Sequence, residues 1–349
     1  MIMSGQITTQ VTSDIGSILP EWDSYALAHP NGSIFHLLGW ARILEKVFHY
    51  KPFYCVARRN QDICGILPLF QVRNLPFGYS LVSLPLAVYG GIRADDGDAA
   101  QALLLCARQV AADLNVRYLE LRHEAGMGDL PTKDLYVTFR KEIFSDEEKN
   151  LAAIPRKQRR MVRQGEKFDL ESRFGGEELL RDFYRVYSES VRSLGTPVFP
   201  LCLFEHVLME FGSNCRILGV FREDRMVAGV MTLFFRDQVM PYYGGALASE
   251  LRYSVNDFMY WKLLCYGAEQ GYKVFDFGRS KVGTGAYDFK RHWGFEPTPL
   301  AYQYVLGTAR AMPNLSPANP KFALPIEIWK RLPLSITQFF GPKIIRFFP

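Results

Sequence analysis

The hydrophobic positions of the chain follow two different spacings, which together predict a mixed order of helices and strands. Helical spacing covers Ile15 to Ala28 and Leu38 to Phe48, and the turn-forming string His29-Pro30-Asn31-Gly32 separates the two. Two β-rich runs, Phe53 to Arg58 and Ile63 to Val72, flank a short polar turn and predict a hairpin. The pattern therefore favours an α/β (α+β) fold.

The same types of element continue along the chain. A helix is predicted from about Asp98 to Leu114, and it leads into a strand from Arg117 to Arg122. Helical spacing returns at Arg181 to Ser193 and at Asn256 to Gln270, where Ser254 is a candidate cap and Gly271 a candidate end.

This order of elements occurs twice. Val56 to Phe70 aligns without a gap onto Val220 to Phe234, at an offset of 164 residues. Two further pairs of strings repeat in the same order: Tyr89-Gly90-Gly91 with Tyr243-Gly244-Gly245, and Tyr118 to Leu121 with Val274 to Phe277. A period this long predicts tandem domains, with boundaries at 1–145 and 146–307.

The C-terminal part, 308–349, has a different composition. A Pro-rich linker, 311–320, precedes a segment from Phe322 to Pro349 in which aromatic and basic residues are interleaved. This mixture suits an amphipathic tail on an anionic membrane surface, and it equally suits a tail that wraps around its own domain. We favour the second interpretation because Pro325, Pro333 and Pro342 interrupt any long helix.

Composition indicates a folded protein with a modest preference for anionic partners. Of the 349 residues, 48% are hydrophobic and 22% charged, and the net charge is +5. The six cysteines are scattered in apolar settings, as expected of core residues in a reducing compartment. We find neither a secretory signal nor a stretch of 18 apolar residues, and we expect a cytoplasmic protein, with peripheral contact at the inner membrane as a further option.

The strongest candidate for an active site runs from Val274 to Phe295. A strand, Val274 to Phe277, is followed by Gly278, Gly283 and Gly285 and then by a segment dense in aromatic and cationic side chains. Such an arrangement suits a site that holds an anionic or carbonyl-bearing ligand. An ordinary strand end followed by an aromatic core segment would give the same pattern.

A second candidate is a basic helix after the domain boundary. It contains Arg156, Lys157, Arg159, Arg160, Arg163 and Lys167. A run of this kind is often only a solvated helix face, but it can also bind phosphates. Arg156, Lys157 and Arg160 are the candidate residues for tRNA or phosphate binding.

Several chemistries are absent from the sequence. We find no phosphate-binding loop of the Gly-x-x-x-x-Gly-Lys-Ser/Thr type, no His-Glu-x-x-His zinc motif and no Gly-x-Ser-x-Gly nucleophile motif. The six histidines form no pair with metal-ligand spacing. We therefore expect neither a metal nor another cofactor.

Each repeated unit resembles the acetyltransferase-like (GNAT) fold. Members of that fold that bind acyl-CoA carry a Gln/Arg-x-x-Gly-x-Gly/Ala loop before the central helix, where backbone amides hold the pyrophosphate. The corresponding segments here are Ala248 to Asn256, which lacks these glycines, and Arg93 to Asp98, which is acidic. Acyl-CoA is therefore a poor fit to either copy.

A duplicated unit of this kind resembles the FemA/FemB family, whose members transfer an amino acid from aminoacyl-tRNA to an amine of a peptidoglycan precursor. Four strings over residues 30 to 305 carry the resemblance: Leu38 to Arg42, Tyr243 to Gly245, Phe275 to Gly278 and Tyr287 to Lys290. Trp293 to Pro297, together with the tail, resembles the subgroup found beside exosortase (PEP-CTERM) and exopolysaccharide genes.

The resemblance assigns roles to individual residues. Lys290 matches the lysine beside the scissile ester, where an ammonium stabilises the oxyanion, and Phe289 matches its aromatic neighbour. Arg42 and Glu124 match residues that contact the acceptor, and Tyr243 matches a pocket tyrosine, although a surface ion pair or a core ring explains each equally well. Asn256, Asp276 and Arg279 complete the candidate substrate-binding set.

Two departures from the family bear on the acceptor. Thr196 to Leu203 is apolar where members acting on nucleotide-linked muramyl peptides place an arginine and a tyrosine, and the charged coiled-coil arm of some members is missing. We expect an acyltransferase that uses aminoacyl-tRNA and an amine of a cell-envelope precursor. One alternative acylates a polysaccharide or lipid intermediate from acyl-CoA or a carrier thioester, and another is a non-catalytic scaffold that binds a glycan or envelope protein.

Overall fold

A computed structural model describes residues 6–18, 20–74, 78–313 and 323–349. The chain divides into two compact units, each built around one mixed β-sheet. The first unit comprises Met1–Tyr136, Pro299–Asn314 and Arg346–Pro349, and the second comprises Val137–Thr298 and Leu315–Ile345. The predicted α/β class and the division into two similar units are confirmed.

The sheet of the first unit has the strand order β1-β2-β3-β4-β6-β15-β7, and β5 pairs with β3. Its elements are β1 (Ile7–Thr12), α1 (Glu21–Ala28), α2 (Leu38–Phe48), β2 (Lys51–Arg59), β3 (Asp62–Asn74), β4 (Gly78–Ser83), β5 (Arg93–Ala94), α3 (Gly97–Asp113), β6 (Tyr118–His123), β7 (Thr132–Lys133) and β15 (Ala301–Leu306).

The sheet of the second unit has the order β14-β8-β13-β12-β11-β10-β9. Its elements are β8 (Tyr136–Glu142), α4 (Glu147–Ala152), α5 (Arg156–Gly165), β9 (Glu171–Gly175), α6 (Glu177–Ser193), α7 (Leu201–Phe211), β10 (Cys215–Arg222), β11 (Arg225–Phe235), β12 (Gln238–Ala246), α8 (Val255–Glu269), β13 (Val274–Lys281), α9 (Gly285–His292), β14 (Pro297–Pro299), α10 (Ala323–Arg331) and α11 (Leu334–Ile345).

The observed units differ from the predicted boundaries of 1–145, 146–307 and 308–349. Strand β8 falls within the predicted first domain, 1–145, but pairs in the sheet of the second unit. Strand β15 falls within the predicted second domain, 146–307, but pairs in the sheet of the first unit. Most of the predicted linker, 314–320, lies outside the described residues. A local hydrophobic pattern identifies a strand but does not identify the sheet that it joins, which explains the difference.

The predicted repeat corresponds to two hairpins of the same design. Strands β2 and β3, like β10 and β11, are joined by a two-residue turn and have a bulge between the second and third residue pairs from it. The last residues before the turns, Arg59 and Arg222, are 163 residues apart. The gap-free alignment at 164 is therefore displaced by one residue, because it matches Gly65 to Gly229 and not the two turns to each other.

The strand that follows each central helix lies parallel to an earlier strand. In the first unit β6 pairs with β4, and in the second β13 pairs with β12. The second pairing is limited to Gln238 with Val274 and Val239 with Phe275. Beyond these residues β12 stays paired with β11 alone, so the two central strands diverge.

The C-terminal helices pack on the second unit. Helix α10 contacts α6 near Gly195, where Ile326 fills the space beside the glycine, and α11 buries Thr337, Gly341 and Ile345. Pro333 lies between the two helices, and Pro342 lies inside α11. None of the described helices has both the length and the hydrophobicity needed to cross a bilayer.

A buried histidine contributes to the core of the first unit. His123 is 3% exposed at the end of β6; its Nδ1 lies 3.1 Å from Gln303 Oε1, and Gly91 packs directly on its ring. Burial lowers the pKa of His123 to about 4, and the nearby Arg93 acts in the same direction. His123 is therefore neutral in the folded protein at neutral pH.

We predict that acid destabilises the first unit through His123. The pKa of His123 is lower in the folded than in the unfolded state. The stability that depends on its neutral form is therefore fully present above about pH 6.5 and is lost as the pH falls towards 4. Between pH 7.5 and pH 5 this loss amounts to about 2 kcal/mol of unfolding free energy. In urea titrations, the unfolding free energy of His123→Gln should fall over this pH range by about 2 kcal/mol less than that of the wild type. The exposed His292 provides the control, and an unchanged pH dependence in His123→Gln would contradict this assignment.

Candidate functional site

The predicted site is formed by the end of β13 and by α9. Gly278 (φ 62°) and Gly283 (φ 76°) both adopt the left-handed conformation that favours glycine. The side chain of Thr284 then caps α9 by accepting from the backbone N–H of Tyr287. The predicted loop is therefore a short turn, and most of the aromatic and cationic segment is helical.

Lys290 lies against the backbone in the middle of β13. Its Nζ donates to the carbonyl oxygens of Phe277 (2.7 Å), Gly278 (3.2 Å) and Arg279 (3.1 Å). The same nitrogen lies 5.6 Å from the ring centroid of Phe139 and 5.8 Å from that of Phe277. All three N–H bonds of the ammonium are thus directed at backbone oxygens.

Opposing effects act on the charge of Lys290. Burial lowers its pKa to about 7, Asp276 raises it, and the positive charge of Arg279 lowers it. The three carbonyl contacts also favour the protonated form, because a neutral amine has only two hydrogens to donate. The arrangement holds an ammonium whose charge is sensitive to small changes near neutral pH.

Asp276 organises the backbone next to Lys290. It is fully buried; Oδ1 accepts from the N–H of Gly278 (2.7 Å), and Oδ2 accepts from Arg140 Nε (2.8 Å). Both carboxylate oxygens are therefore occupied within the protein. This geometry suits a positioning role better than the predicted substrate contact.

Phe289 belongs to an aromatic cluster on the same side of the sheet. Its ring centroid lies 5.5 Å from Tyr260, 6.1 Å from Trp293 and 6.4 Å from Phe277. Phe289, next to Lys290, therefore packs among residues of α8, β13 and the end of α9.

A second buried carboxylate joins three helices. Oδ1 of Asp257, in the first turn of α8, accepts from Trp293 Nε1 (3.0 Å), which follows α9, and from Gln158 Nε2 on α5. Asp257 is 7% exposed, and burial raises its pKa. This residue was missed in the sequence analysis because an acidic residue in the first turn of a helix normally faces solvent.

Helix α5 covers the N-terminus of α8. Gly165 lies against Phe258 and the carbonyl of Ser254, and the ring of Phe168 contacts that of Tyr253 at a centroid distance of 5.0 Å. Residues Ala248–Tyr253 before α8 form a 3₁₀ turn. Asn256, a predicted substrate-binding residue, is half-buried in the first turn of α8.

The opposite face of α5 is cationic. A groove of about 570 Å³ is lined by Arg156, Arg159, Arg160, Arg163, Gln164 and Lys167. Among the residues that the structure describes, none of these cations forms a recorded ion pair, and the first turn of α5 contains no acidic residue. Two of the three predicted phosphate-binding residues, Arg156 and Arg160, line this groove, whereas Lys157 is exposed beside it.

Tyr243 lies in a separate aromatic environment in the second unit. Its ring contacts those of Phe199 (5.6 Å), Phe204 (5.2 Å) and Tyr187 (6.2 Å). Its hydroxyl is buried and has no hydrogen-bond partner among the described residues. Phe199 comes from the apolar segment Thr196 to Leu203, so that segment supplies part of the wall around Tyr243.

Arg42 and Glu124 belong to the first unit. Arg42, on α2, opposes the burial effect that raises the pKa values of Asp23 and Glu45. Glu124 pairs with the buried Arg93 at 2.7 Å. Each of the two therefore has charged neighbours within the first unit. Within the described residues, no group of His, Cys, Asp or Glu is arranged to hold a metal ion.

Comparisons with known proteins identify the type of domain. Residues 149–291 match the family model described as an acetyltransferase (GNAT) domain. No curated protein matches the sequence. The second unit therefore contains a domain of the GNAT fold.

Solved structures extend this likeness to both units. The chain is similar to FemX, with a TM-score of 0.63, 15% identity, and coverage of 84% of this chain and 97% of that one. A tandem GNAT protein from the clavulanic acid biosynthesis pathway gives a TM-score of 0.56 at 10% identity, covering 88% and 100%. L-PGS from Bacillus licheniformis gives 0.53 at 13% identity, covering 84% and 96%. These likenesses show a shared fold.

We predict that Asp257→Ala destabilises the second unit by about 2 to 4 kcal/mol, because two buried donors lose their common acceptor. Asp257→Asn keeps an acceptor oxygen and should cost about 1 kcal/mol or less. Glu166→Ala, which removes an exposed partner of Lys262 on the same helix pair, should have an effect of similar small size. Chemical denaturation of the three variants provides the measurement. Equal losses in the Ala and Asn variants would show that the negative charge matters and the acceptor does not.

Proposed function

We propose that this protein transfers an aminoacyl group from aminoacyl-tRNA to an amine of a cell-envelope precursor in the cytoplasm. The observation that carries the proposal is the position of α5. In acyl-CoA-binding members of this fold, the amides at the start of the central helix hold the pyrophosphate. Here α5 covers the start of α8 and presents cations on its outer face.

The composition of the groove supports a large anionic donor. Five cations on α5 and just after it line about 570 Å³, which is more space than a single phosphate fills. A nucleic acid backbone offers a regular series of phosphates for such a row. The acceptor stem of a charged tRNA would combine this contact with an ester to be cleaved.

The proposed chemistry is aminolysis of an ester. The acceptor nitrogen forms a bond to the carbonyl carbon, the bond from that carbon to the ribose oxygen breaks, and the proton lost by the nitrogen passes to the ribose oxygen. The negative charge that develops on the carbonyl oxygen requires a nearby donor. Lys290, with Phe289 beside it, is proposed for this role.

The geometry of Lys290 adds a condition to this mechanism. Its ammonium already donates to three carbonyls, so contact with the oxyanion requires the exchange of one of them. The contacts to Gly278 and Arg279, at 3.2 and 3.1 Å, are longer than the one to Phe277 and are the natural ones to exchange.

The remaining assignments concern the acceptor. We propose Arg42 and Glu124 of the first unit as acceptor contacts, Tyr243 with its unpartnered hydroxyl as a pocket residue, and Asn256 and Arg279 as further substrate contacts. The sequence resemblance to the exosortase and exopolysaccharide subgroup supports an envelope precursor as the acceptor.

A second candidate function uses a different donor. The match of residues 149–291 to the acetyltransferase domain model favours acyl-CoA or a carrier thioester, with a polysaccharide or lipid intermediate as acceptor. A non-catalytic scaffold for a glycan or envelope protein is the third possibility that the experiments below distinguish.

We predict that the protein binds charged tRNA more tightly than uncharged tRNA and does not bind acetyl-CoA, as measured by titration at physiological salt. Arg156→Gln/Arg160→Gln should weaken tRNA binding and reduce the slope of log K against log salt concentration by roughly 1 per lost phosphate contact. Arg108→Gln, an exposed arginine of the first unit, is the matched control. Binding of acetyl-CoA alone would replace the aminoacyl donor with the second candidate.

We predict that Lys290→Met lowers turnover by roughly 100-fold or more, since one oxyanion donor is lost, and leaves the affinity for charged tRNA within about twofold. Turnover of the wild type should fall as the pH rises through about 7, because Lys290 loses its proton there. This pH dependence should be absent from the variant. An unchanged turnover would contradict the catalytic role, and intact function in cells would favour the scaffold. A parallel loss of tRNA affinity would indicate a purely structural role for the lysine.

A further inference from the structure

The C-terminal helices α10 and α11 each have one face docked on the second unit. Ile326 packs beside Gly195, and Thr337, Gly341 and Ile345 are buried at intervals of four residues along α11. This docking fixes the side of each helix that faces away from the domain.

The outward face of α11 is apolar. Ile336, Phe339 and Phe340 are 39%, 60% and 48% exposed, and the spacing of three and four residues places them together, opposite the buried residues. Two adjacent exposed phenylalanines on one helix are unusual for a surface that only meets water.

The outward face of α10 has the same character. Leu324 and Ile328, one helical turn apart, are 70% and 53% exposed. Leu194, which precedes the glycine that contacts Ile326, is 71% exposed. We call the outward residues of the two helices the C-terminal surface: Leu324, Ile328, Ile336, Phe339 and Phe340.

Cations accompany these apolar side chains. Lys330 and Arg331 end α10, and the Nζ of Lys343 lies 3.8 Å from the ring centroid of Phe339. Between residues 323 and 345 the sequence contains three basic residues and one acidic residue, Glu327. The two helices that carry the C-terminal surface therefore also carry a net positive charge.

We propose that the C-terminal surface binds an anionic lipid bilayer as a peripheral contact. Aromatic and aliphatic groups enter the boundary between headgroups and acyl chains, while adjacent lysine and arginine side chains meet anionic headgroups. A second copy of this chain is a poorer occupant, because a symmetric pair would bring the same cations to one interface. This inference does not depend on the proposed reaction.

The test is flotation of the purified full-length protein with vesicles, in the absence of any acyl donor. Binding to vesicles of phosphatidylcholine with 30% phosphatidylglycerol should be at least tenfold tighter than binding to phosphatidylcholine alone, and it should weaken as salt is raised. Phe339→Ser/Phe340→Ser should lower the affinity for the anionic vesicles at least tenfold. Lys330→Gln/Lys343→Gln should reduce the preference for anionic over neutral vesicles.

Leu105→Ser is the matched control, because Leu105 is a 54% exposed apolar residue of the first unit, and it should bind vesicles like the wild type. All the substituted side chains are exposed, and circular dichroism should confirm that each variant is folded. Equal binding to both vesicle types, or unaltered binding by the double phenylalanine variant, would overturn the proposal. So would light scattering that shows a wild-type dimer which the phenylalanine substitutions convert to a monomer.

Discussion

The divergence of β12 and β13 is the constraint on which the candidate site depends. After two paired residues β13 no longer lies beside β12, and in an ordinary strand its carbonyl groups would point alternately to opposite sides. The left-handed conformation of Gly278 interrupts this alternation, so that three consecutive carbonyl oxygens meet one ammonium. Lys290 therefore donates to backbone acceptors at the point where the sheet opens, and these three hydrogen bonds hold its ammonium in the candidate site.

Asp276 connects this local geometry to the rest of the second unit. Its carboxylate fixes the N–H of Gly278 from one side and the guanidinium of Arg140, on the neighbouring strand β8, from the other. The strand that stabilises the turn thus comes from a segment of the sequence far from it. A site of this kind cannot form from the Val274 to Phe295 stretch by itself.

This dependence explains which parts were predictable from sequence. The hairpins, the central helices and the strand at Val274 follow from local periodicity and turn residues, and the structure contains all of them. The β8 and β15 exchange, and the roles of Arg140 and Asp257, depend on contacts between segments more than 90 residues apart, for which one sequence gives no signal. The sequence singles out Lys290 as a candidate residue but does not indicate its three backbone partners, because a left-handed glycine in a strand cannot be distinguished from a loop glycine by pattern.

The energetics of α5 provide a further argument about the groove. Arg156 and Lys157 occupy the first turn of the helix, where the partial positive charge of the helix terminus opposes them, and the turn contains no acidic residue to compensate. Repulsion among the arginines adds to this cost. The helix is kept in place by its other face, through Gln158 on Asp257 and Gly165 on Phe258. Because Asp257 also holds Trp293 at the end of α9, the element that carries the unfavourable charge and the element that carries Lys290 share one anchor. An anion bound on α5 would relieve the repulsion, and this argument supports the polyanionic donor proposed above.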